Sequence, residues 1–227
     1  MRFVLIRHAQ TVANEAGRWQ GHTDTAITPM GGAQIECLAR SLVLAREHYP
    51  TDWDRIVLYS SPLGRAWTTA QGIAEALSLS IHPEPDLREY DVGIFSGKTP
   101  DEIAIDHPGA AACFARHRDW DQVPDAEPLI SRARRAERVL ANLLSHHSDD
   151  ETVICVTHGG FLQYLIAAVL NTPRVWGFRP GNTARFEFQF SQLATLEQAD
   201  SSAALSTYRC RIERFNDTTH LDSLTLG

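Results

Sequence analysis

An α/β fold built on a mainly parallel sheet is predicted by the alternation of short apolar runs with stretches of helical period. Two further observations sharpen that reading. The first runs are continuously apolar, as in strands buried on both faces. Three of them also end in polar residues, in "LIRH", "LYSSP" and "VTHGG". In open α/β sheets ligands sit beyond the carboxyl ends of the strands, so these three tips locate the candidate site.

The elements follow in order. Residues 2–6 form a buried strand. "GGAQIECLARSLVLAREHY" sets Ile35, Leu38, Ala39, Leu42 and Ala45 at helical spacing, with Glu36, Arg40 and Glu47 off that face. A second buried strand covers about Arg55 to Tyr59, and "PLGRAWTTAQGIAEAL" continues as a helix with Pro62 at its start, where a missing N–H costs nothing. Residues 85–110, rich in Pro, Gly and Asp, read as loops with short helical pieces. A longer helix over 131–147 carries Val139, Leu140, Leu143 and Leu144. "ETVICVTH" is the third buried strand and "GGFLQYLIAAVL" the helix after it. "ARFEFQF" and "TYRCRIERF" alternate as a closing antiparallel pair, with a Ser/Ala/Gln-rich mobile loop between them at 191–206.

With 227 residues, 43% hydrophobic, the chain suits one globular domain. A formal net charge of −7 argues against a nucleic-acid partner, which needs a basic face, yet leaves room for an anionic small molecule in a local cationic pocket. No apolar run reaches membrane-span length and no signal peptide is visible, so the expectation is a cytoplasmic protein without a membrane partner. Cys37, Cys113, Cys155 and Cys210 are widely spaced and read as buried free thiols. Nothing in the sequence sets the oligomeric state.

The chemistry converges at the strand tips. Arg7 and His8 end the first strand, and no acidic residue occurs in the seven positions after Arg7. A buried guanidinium needs an anionic partner, either a ligand or a carboxylate brought in by the fold. Arg65 stands in the first turn of its helix, the positive end of the helix dipole, where a cation is unfavourable unless an anion sits between them. His158 is followed by Gly159 and Gly160, which leave backbone N–H groups approachable. Two arginines, two histidines and helix N-termini suit a tetrahedral dianion. Neutral imidazole can attack phosphorus, and "DLREYDVGIFSG" offers Glu89 as proton donor with Asp91 as its rival.

"LIRHAQT", "WQGHTDTAITPMGGAQ", "SSPLGRAWTTA", "LREYDVGIFSG", "VTHGG" and "NDTTHL" fall in order across almost the whole chain. Together they resemble the histidine phosphatase superfamily, the phosphoglycerate-mutase-like proteins. The resemblance implies a three-layer α/β/α sandwich with helices on both faces of a sheet of core order 2-1-3-4. It makes residues 1–227 a single domain, with about 98–130 as a lid or insertion. It assigns His8 as the phosphorylated nucleophile, Arg7, Arg65 and His158 as the rest of the phosphate pocket, and Glu89 as proton donor and later base. Asn14, Gln20, Gly21, Thr23 and the N–H of Gly159 are implied at or near the phosphoryl group. The implied activity is metal-independent hydrolysis of a small phosphorylated substrate, with no cofactor.

This chain departs from the family pattern in places. Ala9 follows the nucleophile where glycine is usual; its carbonyl can still accept the ring N–H. Gln10 replaces a common Glu, removing a negative charge near the site. The stretch before the late helix is "PDAEPLIS", with Glu127 the only clear match, which affects the lid. A cofactor-dependent mutase stays open beside the phosphatase. Mutases of this resemblance carry a longer insertion with basic clamps, whereas Gly97 to Thr157 is compact and mixes Arg116 and Arg118 with Phe114 and Trp120. A non-catalytic phospholigand-binding module is a third alternative. A histidine metal site is not expected: His146 and His147 share an exposed helix face, and no histidine pair has ligand spacing with a carboxylate. Arg18, His22 and Arg88 are candidates for the rim, and Trp19 and Phe95 either wall the pocket or pack beneath its loop.

Overall fold

The computed structural model describes residues 1–50, 53–175, 177–192 and 208–225. The loop expected at 191–206 lies outside them, apart from residues 191 and 192, which end a strand. Six strands form one sheet: β1 (Arg2–Arg7), β2 (Arg55–Ser60), β3 (Ile81–Pro83), β4 (Glu151–Thr157), β5 (Arg185–Gln192) and β6 (Tyr208–Asp217), in the order β3-β2-β4-β1-β5-β6. β1–β4, β2–β4 and β2–β3 pair in parallel, while β5 joins β1 and β6 antiparallel.

The mainly parallel α/β sheet stands, but the implied order 2-1-3-4 does not. Among the first four expected strands the order is 2-3-1-4, because Ile154 of β4 is in register with both Val4 and Leu58. The reason is burial. β4 is buried at six of its seven positions and β2 at only two of six; the strand apolar on both faces takes the centre. β3 escaped prediction because three residues ending in proline carry no period.

Eight helices are described: α1 (Val12–Glu15), α2 (Pro29–His48), α3 (Gly64–Leu77), α4 (Pro100–Asp106), α5 (Pro108–His117), α6 (Leu129–His146), α7 (Gly159–Val169) and α8 (Asp222–Thr225). Successive strand side chains point to opposite faces, so β1 feeds two cores. Phe3 and Leu5 join Val153, Cys155 and the apolar stripes of α6 and α7. Val4 and Ile6 join Ile154, Val156 and the stripes of α2 and α3. Helices thus cover both faces. None among the described residues is long and apolar enough to cross a membrane.

Several local expectations shift. α3 begins at Gly64, with Leu63 rather than Pro62 before it, and α6 begins at Leu129. His147 is not exposed beside His146: its ring is held between the Tyr59 hydroxyl (3.0 Å) and Glu151 (3.1 Å), with the side chain 8% exposed. Of the four free cysteines only Cys155 is buried.

Parallel pairing sets the site. Arg7 is in register with Thr157 and Ser60 with Val156, and the chain beyond each tip stays locked to its neighbour. The His8 N–H donates to Thr157 O (2.9 Å) and the Ser61 N–H to Val156 O (3.0 Å). Residues 7–8, 60–61 and 157–158 therefore meet at one edge.

Candidate active site

His8 sits at the floor, 3% exposed. Its Nδ1 lies 2.7 Å from Ala9 O. A carbonyl only accepts, so Nδ1 carries the proton and Nε2 keeps its lone pair. Burial first, then the charges of Arg7 and Arg65, push the imidazole well below its ordinary range, which keeps it neutral. Ala9 fits without loss of this contact, fully buried, with its N–H donating to Thr69 Oγ1 (3.0 Å). Gln10 turns away: its Oε1 accepts from the Thr28 hydroxyl (2.7 Å), and it does not line the cavity.

Cations surround the imidazole. Arg7 donates from Nη1 to Pro180 O (2.7 Å), and its Nε would lie 3.1 Å from a Cβ at Gly159, so glycine there lets the guanidinium approach the start of α7. Arg65, 2% exposed, donates to Thr23 O and Gly21 O and to Asp24 Oδ1, each at 2.8 Å. Asp24 also accepts from the Gly64 N–H (2.6 Å). The anion expected between this cation and the helix N-terminus is thus partly supplied by the chain. The ring of His158 lies 5.2 Å from that of His8, and its Nε2 meets Ser61 Oγ at 2.8 Å. Arg7 Nε, Arg65 Nε and His158 Nδ1 are buried with no hydrogen-bond partner among the described residues. Buried polar groups rarely remain so, and each such group calls for an explanation.

Glu89 is placed by α7. Its Oε2 accepts from the Gly160 N–H (2.9 Å), and its Oε1 accepts from those of Phe161 (2.8 Å) and Tyr90 (3.1 Å). The helix N-terminus expected to face a phosphate through its two glycines is therefore occupied by a carboxylate at Gly160, while the Gly159 N–H makes no such bond among the described residues. A Cβ on Gly160 would fall 2.4 Å from Tyr90 Cε1 and 2.8 Å from Glu89 Oε1. Asp91, the rival acid, accepts from the Gly93 N–H and stays off the cavity.

Arg7, His8, Asn14, Gln20, Gly21, Arg65, Glu89 and Gly159 line one open cavity of about 520 Å³. His158 is fully buried with its ring 5.2 Å from that of His8, and Thr23 serves through its carbonyl, its hydroxyl turning back to Gln20 O (2.6 Å). Asn14 Oδ1 accepts from Thr11 and Asn182. Arg18 lines the rim but is committed to Glu102 in a two-pronged pair (2.5 and 2.8 Å). His22 and Arg88 fall outside the lining, His22 bonding Glu89 O instead (2.8 Å). Trp19 walls the cavity and packs edge-on to Trp120 (4.7 Å), whereas Phe95 is buried beneath.

Sequence reasoning missed Asp24, Tyr90, Val92, Gln163 and the segment Phe178–Arg179–Pro180, and it did not place Trp120 at the rim. None carries a local signature. The nearest hint was the position of Arg65, which demanded an anion somewhere. Among the described residues, no group of three or more His, Cys, Asp or Glu could hold a metal ion.

The arrangement is an arginine-lined pocket built around a neutral imidazole at the carboxyl edge of an α/β sheet. A family model described as the histidine phosphatase superfamily (branch 1) matches residues 3–195, and the chain belongs to that family. It is 30% identical over 186 residues to phosphoserine phosphatase 1 of Hydrogenobacter thermophilus, covering 81% of this chain and 84% of that one. It is 33% identical to the adenosylcobalamin/alpha-ribazole phosphatase of Salmonella typhimurium, covering 79% and 85%. Among solved structures, the mycobacterial glucosyl-3-phosphoglycerate phosphatase complex with VO3 superposes with a TM-score of 0.76 at 26% identity, over 95% of this chain and 98% of that one. A probable phosphoglycerate mutase GpmB of Enterobacter sp. is 25% identical over 100% of this chain and 97% of its own.

Proposed function

We propose that this protein is a metal-independent phosphomonoesterase that acts through a phosphohistidine on a small phosphorylated metabolite. The observation that carries the reading is a neutral, buried His8 whose Nδ1 is tied to Ala9 O, ringed by Arg7, Arg65 and His158, each with a buried nitrogen that has no partner among the described residues. His8 Nε2 attacks phosphorus as the ester P–O bond breaks, and Glu89 gives its proton to the departing alkoxide. Glu89 then takes a proton from water, which attacks phosphorus and breaks the P–N bond to release phosphate and neutral imidazole. Arg7, Arg65, His158 and the Gly159 N–H hold the equatorial oxygens, with Asn14 and Gln20 beside them. Gly21 and Thr23 contribute carbonyls that hold Arg65 in place.

The chain acts as a single domain in which 98–130 is the lid, since Trp120 reaches the cavity and the Glu127 N–H donates to Asp91 O (2.9 Å), two residues from Glu89. A cytoplasmic location accords with four free cysteines. A mutase is the second reading, favoured by the full-length likeness to a mutase relative. Against it, Arg116 and Arg118, the arginines of the 98–130 segment, stay off the cavity. A phosphate-release screen over a metabolite panel, with EDTA and a His8→Ala blank, tests the proposal. His8-dependent, EDTA-insensitive release supports it, and isomerisation of 3-phosphoglycerate outpacing release reverses it in favour of the mutase.

A further inference from the structure

The part of the cavity away from His8 has two unlike walls. One is aromatic: Trp19, Tyr90 and Trp120 pack edge-on, with ring centroids 4.7 and 5.5 Å apart along the row. The other is the segment 178–180, which together with Gly181 is pinned at every residue. Phe178 O accepts from Gln163 Nε2 (3.1 Å), Arg179 O from Asn216 Nδ2 (3.3 Å) and Pro180 O from Arg7 Nη1 (2.7 Å), while the Gly181 N–H donates to Asn216 Oδ1 (3.0 Å). That backbone holds the Arg179 side chain at the cavity with no ion-pair or hydrogen-bond partner among the described residues.

The other lining cations differ. Arg18 is committed to Glu102, Arg65 to Asp24 and two carbonyls, and Arg7 to Pro180 O. A phosphoryl group held by Arg7 and Arg65 does not need a further cation on the opposite loop. A planar guanidinium offers a donor fork that matches a carboxylate or a phosphate. A cavity of about 520 Å³ also falls in the roughly 300–1,000 Å³ range that accepts drug-sized ligands.

We infer that Arg179 is a specificity-determining residue that reads a second anionic group, carboxylate or phosphoryl, on the alcohol portion of the substrate, whose apolar part rests on the Trp19–Trp120 wall. This inference rests on the proposed function for the place of the first phosphoryl group. It is therefore tested by binding rather than turnover, using calorimetry on the His8→Ala protein with and without Arg179→Ala. One arm compares O-phosphoserine with O-phosphoethanolamine, which differ by a carboxylate; a second compares fructose 1,6-bisphosphate with fructose 6-phosphate. Taking the ratio within an arm cancels any general loss of affinity or folding.

The doubly anionic ligand is expected to bind at least about tenfold more tightly in one arm, the worth of one charge-assisted contact. Arg179→Ala brings that ratio near one and Arg179→Lys restores part of it. Ratios near one in both arms before Arg179 is changed, or a preference that survives Arg179→Ala, overturn the inference. The phosphate-release screen is independent: it can fail while the binding preference holds, and the reverse.

Discussion

The floor and the rim of the cavity are built on different principles. The floor comes from three parallel strand tips and the helices that follow them. His8, Arg65 and His158 are at most 3% exposed, and their polar contacts are to main chain or to Asp24 and Ser61. The rim comes from segments far apart in sequence, near residues 18–21, 90–92, 120 and 178–180, and is held mainly by ring packing and loop hydrogen bonds. The contrast separates two jobs. On the proposed function, preorganised donors at the floor serve to stabilise charge that develops in the transition state, and the rim serves to discriminate among alcohol portions.

Perturbations at the floor are expected to lower kcat, and those at the rim to raise KM. Arg65→Ala removes a floor cation and the clamp on residues 21–24; kcat is expected to fall about 10²–10³-fold in steady-state assays, with little recovery in Arg65→Lys, which lacks the fork. A KM-only effect would move Arg65 to the rim. Gly160→Ala forces a Cβ against Tyr90 and Glu89, so the carboxylate leaves the start of α7. kcat is expected to drop up to about 10²-fold, as for an ångström-scale misplacement, with thermal denaturation showing a loss of about 1–3 kcal/mol from overpacking. Unchanged kcat would remove Glu89 from the chemistry.

Smaller effects follow at the rim and in the pH response. Trp120→Ala deletes its ring contacts with Trp19 and Tyr90. KM for a bulky monoester is expected to rise about two- to twelvefold, from 0.5–1.5 kcal/mol per aromatic pair, while kcat holds; a kcat collapse would merge rim and floor. Burial and neighbouring cations push His8 and His158 well below the ordinary histidine range, and burial takes His220 down to about 4. Below pH 6.5 the unfolded chain takes up protons that these folded imidazoles refuse. Stability is therefore present above that value and lost as pH falls through the window toward 4. Melting followed from pH 7 to 4 checks the sign, and a rising midpoint contradicts it.

Legibility divides along the same line. His8 and His158 could be read because each ends an apolar run and begins polar chemistry within one step, a local signal that parallel topology converts into proximity. Arg65 was legible as an anomaly, a cation at a helix N-terminus, although Asp24, part of its answer, lies 41 residues away and carries no mark in the sequence. Sheet order failed for a related reason: that β4 enters between β1 and β2 depends on comparing burial between strands, which no single window shows. Glu89 could be singled out as a proton-donor candidate, but its seat on α7 could not be read, because the glycine pair reads equally well as a cradle for a ligand or for a carboxylate. Arg179 had no signal at all, since a lone exposed cation after a helix ordinarily just solvates a loop.

The most direct measurement is rapid acid-free quenching of the protein during turnover of a radiolabelled phosphomonoester, followed by peptide mapping. An acid-labile, base-stable label on the peptide containing His8, absent from His8→Ala, is the expected result. Turnover with no label on His8, or a label that persists in His8→Ala, contradicts an imidazole nucleophile at this strand tip.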